Sequence, residues 1–102
     1  MTKLNEIDAQ TELELQAAAF RVLRDHLQTR TDVQNIDMMT LAGFCRNCLS
    51  RWVQEAGQEK GLDIAKEDAR AYVYGMPYED WRKAHQTQAT DAQKAAFKAT
   101  HD

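Results

Sequence analysis

Leu41-Ala42-Gly43-Phe44-Cys45-Arg46-Asn47-Cys48-Leu49-Ser50-Arg51-Trp52-Val53-Gln54-Glu55-Ala56 returns apolar residues about every four positions. Leu41, the Phe44–Cys45 pair, the Cys48–Leu49 pair, the Trp52–Val53 pair and Ala56 then share one face of a helix. Alternation of apolar and polar residues over strand length occurs nowhere in the chain, and no internal repeat is present. The reading is all-α. Within it, this stretch is the centre of a helix expected from near Asp37 to about Lys60, with Gly61 as its left-handed stop.

Upstream, Thr11-Glu12-Leu13-Glu14 has the form of a capping box. Leu13, Phe20, Leu23 and Leu27 follow it at helical spacing and predict a first helix to about Leu27. Gln28 to Asp37 is polar, with Thr31, Asp32, Asn35 and Asp37 able to cap helix ends or make side-chain turns. Downstream, a third helix fits Ala65 to Tyr74, stopped by Gly75. Pro77 suits the first position of a fourth helix, with Glu79 and Asp80 in its opening turn and Trp81 anchoring it. Thr90-Asp91-Ala92-Gln93 is a second capping box before a terminal helix that contains Phe97. Five helices are expected, in a compact bundle without a sheet. Residues 1–10 are expected to form a flexible arm, and 11–102 a single helical domain.

Three ordered stretches, Arg30-Thr31-Asp32-Val33-Gln34-Asn35-Ile36-Asp37, Gly43-Phe44-Cys45-Arg46-Asn47-Cys48-Leu49 and Tyr74-Gly75-Met76-Pro77-Tyr78 before Trp81, resemble a known family. It is the group of short proteobacterial proteins called domain of unknown function 1244. The resemblance spans roughly residues 18–86. It implies a compact helical domain that makes up the whole protein, and it implies no activity.

Composition bounds the function. The chain has 102 residues, which allows one small domain, with 43 % apolar and 28 % charged residues. That apolar content is too high for a disordered chain. Apolar runs such as Ala17 to Phe20 and Leu41 to Phe44 are far too short to span a membrane. The formal charge of −3 arises in residues 1–20, while 21–60 carry +1 and 61–102 carry −1. No basic face dominates, so nucleic acid is not an expected partner. The N-terminus has no signal-peptide pattern, and the expected compartment is the cytosol, where Cys45 and Cys48 would stay reduced.

Cys45 and Cys48 lie three apart, so on a helix both sulfurs could face one metal ion or each other. A structural zinc needs four ligands, and a second Cys-x-x-Cys is absent. His26 is the nearest third ligand. In a simple antiparallel hairpin it would fall roughly 9–12 Å short, at 1.5 Å per residue. The competing reading packs both cysteines in the core as small hydrophobes. A divalent metal is therefore admitted but not favoured. Thiol redox chemistry is weakened because Leu41 to Phe44 reads as helix already begun, which keeps Cys45 away from a helix N-terminus.

Two further groups are candidates. Arg30, Asp32, Asn35 and Asp37 could bind a ligand or partner, or simply cap helices. Tyr74, Met76, Tyr78 and Trp81 could form a contact surface, or plug the bundle with Trp52 as partner. Phosphate loops and His-x-x-x-His pairs are absent, and Ser50, the only serine, has no nearby His. The expectation is a small helical protein without catalysis that binds a protein partner or itself, and binds neither nucleic acid nor membrane. The alternative is a metal-binding or thiol-switch protein using Cys45 and Cys48.

Overall fold

The computed structural model describes residues 1–101. Six α-helices follow a 3-10 turn at Leu4–Glu6: α1 (Ala9–Thr29), α2 (Asn35–Ala42), α3 (Arg46–Glu59), α4 (Lys66–Tyr74), α5 (Tyr78–His85) and α6 (Asp91–His101). No strand occurs among the described residues. The all-α reading holds, with one helix more than expected.

The extra helix comes from a break in the stretch quoted first. Gly43 adopts a left-handed conformation (φ 77°), and its N–H donates to the Met39 carbonyl, which closes α2. Cys45 is extended (φ −139°, ψ −176°) and becomes the N-cap of α3. Apolar periodicity runs straight through the corner because both helices bury the same kind of residue. The expected single helix from Asp37 to Lys60 is therefore two.

Other ends differ by a few residues. The Asp8 carboxylate accepts from the Thr11 N–H at 2.7 Å, so α1 starts at Ala9 and Thr11 lies inside it. Asp8 offers an ionised acceptor three residues ahead of the Thr11 hydroxyl, and the charged cap wins. The expected Thr11–Glu14 box is not the start, and Ala9 and Gln10 belong to α1. Pro77 is the N-cap of α5, and its carbonyl accepts from the Asp80 and Trp81 amides. At α6 the capping box is as expected: Gln93 N–H donates to Thr90 Oγ1 (3.1 Å), and Thr90 N–H donates to Gln93 Oε1 (2.8 Å). The α3 helix ends with Gly61 and Leu62 donating back to the Gln58 and Gly57 carbonyls.

The core sits where α1, α2, α3 and α4 meet, built on Leu27, Met38, Cys45, Leu49 and Val73. The closest helix pairs are α3 with α4 and α2 with α6. The bundle is extended, at 49 × 32 × 27 Å, because α1 outruns its neighbour. Its radius of gyration is 16.3 Å, whereas a compact chain of this length has about 13 Å. Twenty-one helical residues rise about 31 Å, but the nine of α4 rise about 14 Å. Leu27 is buried and Phe20 stacks on Tyr72 at 6.2 Å, but Leu13, next on the same stripe, faces water.

Two glycines share a left-handed φ of 77° but not the same surroundings. A Cβ at Gly43 would meet open space, while one at Gly75 would lie 2.8–3.0 Å from the Gln28 amide, which donates to the Val73 carbonyl. Gly43→Ala should cost about 1 kcal/mol, from backbone conformation alone. Gly75→Ala should cost about 2–3 kcal/mol, because it also displaces Gln28 and strands that carbonyl. Urea unfolding midpoints of the two variants check the order.

Candidate functional site

The break at Gly43 aims the first turn of α3 into the protein. Arg46 follows the cap, is 1 % exposed, and makes no ion pair among the described residues. Its guanidinium donates to backbone instead. Nη2 reaches the Arg30 carbonyl at 2.7 Å and, more weakly, the Leu27 carbonyl at 3.5 Å. Nη1 reaches the Val33 carbonyl and Asn35 Oδ1, each at 2.9 Å. The Trp81 ring lies 4.9 Å from the guanidinium carbon. Leu27 and Arg30 present carbonyls at the negative end of the α1 dipole, and Trp81 presents a π face, so the charge is met without a carboxylate. Burial pushes the arginine below its ordinary pKa, opposed by Tyr74, Cys45 and Asp32. Arginine starts so far above neutrality that it stays charged.

Asn35 continues the network. Its Nδ2 donates to the Tyr74 hydroxyl (3.1 Å), which donates to Asn47 Oδ1 (2.8 Å). The path thus leaves α3 at Arg46, crosses α2 and α4, and returns to α3 one residue later. Burial raises the Tyr74 hydroxyl well above its ordinary pKa of 10.0, against the pull of Asn35. Gln34 ties the same corner to the chain after α5, donating to the His85 carbonyl (2.9 Å) and accepting from Thr87 N–H (3.0 Å).

The loop candidates are engaged internally. Arg30 and Asp32 form a two-bond pair at 3.0 Å on the surface. Both Asp37 oxygens accept from the Gln93 amide, at 3.2 and 3.1 Å, which fastens α6 to α2. A cleft of about 390 Å³ opens beside Gln34, Asn35, Asn47, Tyr78 and Gln86, and neither Asp32 nor Asp37 lines it.

The aromatic corner divides. Tyr74 and Trp81 are buried with ring centres 5.0 Å apart, which makes them core. Tyr78 is half-buried beneath Arg70 (4.4 Å), and Met76 is exposed. Trp52 is not the partner of this corner. It stacks on Phe44 at 5.8 Å and is exposed.

Cys45 is buried at the α3 N-cap, and Cys48 is half-buried one turn on. The expectation that Cys45 lies within a helix already begun is overturned by the Gly43 break. Burial raises the Cys45 thiol, while backbone N–H groups of Cys48 and Asn47 pull it down. The Cys48 thiol contacts Met39 Sδ at 3.7 Å and borders a cleft of about 330 Å³ that also holds Arg51, Lys66 and Arg70. His26 is exposed in the last turn of α1. Among the described residues no three His, Cys, Asp or Glu side chains are grouped to hold a metal ion, so His26 is not brought to the cysteines.

Arg46, Asn47 and Gln34 are the residues that sequence reasoning missed. Arg46 and Ser50 lie next to Cys45 and Leu49 at the same four-residue interval, and all four are buried. That repeat was the available signal.

Fold and site together define a small all-helical protein whose helix ends are gathered onto one buried guanidinium. The chain belongs to the DUF1244 family: the family model, described as a protein of unknown function, matches residues 33–99, from the loop before α2 into α6. Comparison with curated proteins returns no match. None of the helices described is long and apolar enough to cross a membrane.

The raised Tyr74 hydroxyl has a consequence for stability. Its folded form keeps the proton above pH 10, where the unfolded chain releases it, so its contribution is complete below pH 10 and declines as pH rises. One proton corresponds to about 1.4 kcal/mol per pH unit. Wild-type stability should therefore fall more steeply above pH 10 than that of Tyr74→Phe, by up to that slope. Denaturant unfolding from pH 9 to 11 measures it.

Proposed function

We propose that this chain is a non-catalytic interaction module that docks another protein chain along the outward side of α1. The observation that carries this reading is the apolar surface α1 leaves in water on the side away from Phe20 and Leu27, where Leu15 is 47 % exposed and Val22 70 %. Leu15 and Val22 are seven residues apart and fall within about 20° of each other around the helix. Burying one such side chain is worth roughly 1.5–3 kcal/mol before the costs of association. An exposed apolar helix face is the usual element of helix-in-groove recognition. The motif residues support the same reading, since Arg30, Asp32, Asn35, Asp37 and Tyr74 are bonded to one another or to neighbouring helices.

A photo-crosslinking residue at Val22, in the cells that make the protein, tests the reading. It should give a protein adduct that Leu15→Glu abolishes, while the same residue at exposed Lys83 should give none. Equal labelling from both positions, or no adduct at either, contradicts docking through α1.

A second reading rests on a separate observation, the position of Cys45 at the α3 N-cap with Cys48 one turn away. Residues three apart on a helix have Cα atoms within disulfide range. Exchange with an external disulfide would join the two sulfurs and release the reagent as two thiols, with two protons moving from cysteines to products. Equilibration with oxidised glutathione should then remove both titratable thiols and lower the protein mass by two hydrogens. Two thiols surviving, or a stable mixed disulfide, would sink the thiol switch.

A further inference from the structure

The face of α1 that remains in water is built to meet itself. Glu6, Asp8, Glu12 and Glu14 against Lys3 give the first part of the chain a net charge of −3, and Arg21 and Arg24 against Asp25 give the last turns of α1 a net charge of +1. A parallel pair of such helices would set acid on acid. An antiparallel pair sets each acidic half on a basic half, and opposes the helix dipoles as well.

The register follows from individual residues. Glu14 accepts only from the Gln10 amide (3.2 Å), and Arg21 has no ion-pair partner among the described residues. They lie within about 20° around the helix but about 10 Å apart along it, too far to pair in one chain. A two-fold axis near Ala18 removes that distance. It brings Glu14 beside Arg21 of a second copy, twice, and sets Leu15 beside the second copy's Val22. Ala18 occupies the crossing, where a small side chain lets the axes approach to about 8 Å. The N-terminal turn widens the surface, because Leu4 and Ile7 with Leu15 and Ala19 line an apolar groove of about 310 Å³. The opposite side of α1, at Phe20 and Leu27, packs on the body, so the two bodies would hang from opposite ends of the pair without meeting.

The geometry points to an antiparallel homodimer of this chain, formed by α1 against α1 with reciprocal Glu14–Arg21 pairs. It rests on the docking reading above and names the occupant as a second copy. An isologous pairing of this kind closes on itself and leaves no open end.

Sedimentation equilibrium of the full chain tests it. The wild type should dimerise reversibly. Glu14→Arg alone and Arg21→Glu alone should each weaken association at least tenfold, because each places like charges together twice. An equimolar mixture of the two single variants should associate as tightly as wild type. In the mixed pair one chain is basic and the other acidic at both positions, so both contacts join opposite charges. The double variant E14R/R21E should also dimerise. Rescue by mixing establishes that the weakened variants are folded. A monomeric wild type, single variants that associate normally, or weakening without rescue overturns self-pairing. If the wild type is monomeric while a crosslinker at Val22 captures a different chain, self-pairing fails and docking through α1 stands. If the wild type is monomeric and Val22 gives no adduct, both fail.

Discussion

The rest of the structure depends on where one positive charge goes. Arg46 is buried without a carboxylate, and taking an unpaired charge out of water is prohibitive unless its donors are satisfied. Its nitrogens draw in the carbonyls of Arg30 and Val33 and the Asn35 amide oxygen. Those groups belong to the end of α1, the following loop and the start of α2. A helix C-terminus and a turn would otherwise leave carbonyls pointing into a protein interior. The guanidinium fork answers several at once, which a lysine point charge could not do at these angles. Arg46 Nε finds no partner, and the Trp81 face beside it compensates in part.

This constraint explains the corner at Gly43. Had α2 and α3 been continuous, the orientation of Arg46 would have been fixed by α2 itself. A left-handed glycine followed by an extended Cys45 restarts the helix in a new direction, and Arg46 and Asn47 then face the α1–α2 loop. The three sequence motifs converge here. Arg30, Val33 and Asn35 come from the first, Arg46 and Asn47 from the second, and Tyr74 from the third, with Gly75 making room for Gln28 beside it. The polar atoms of these motifs are largely spent on one another.

Elements that depend on short-range chemistry are legible in the sequence. Thr90 and Gln93 form their capping box because both partners lie within one turn, and Gly61 and Gly75 stop helices by backbone conformation. The break at Gly43 is not legible, because apolar residues repeat across it with the same spacing. The α1 start misleads because two acceptors, Asp8 and Thr11, compete and only the ionised one takes the amide. Of the candidate site, Asn35 and Tyr74 stand out as residues, but Arg46, which donates to Asn35, does not. A buried arginine whose acceptors are mostly main-chain carbonyls, with no carboxylate among them, leaves no oppositely charged residue to find. Trp52 belongs to a different cluster from the one expected, because helical spacing specifies a face but not the neighbour against it.

The two ends of α1 therefore do different work. Its C-terminus is locked to the body through Leu27 and the carbonyls that Arg46 collects, and its N-terminal half carries apolar surface away from that body. The lock is the central claim, and replacing Arg46 with methionine tests it most directly. Methionine fills much of the volume and removes the charge, so a merely tolerated arginine would leave the protein as stable or more stable. Equilibrium urea unfolding should instead show a loss of about 3 kcal/mol, because the Arg30 and Val33 carbonyls and Asn35 Oδ1 are left without donors. Amides from Thr29 to Asn35 should exchange faster in the same variant. An Arg46→Met protein with unchanged or higher stability, and wild-type exchange across that loop, would contradict the account.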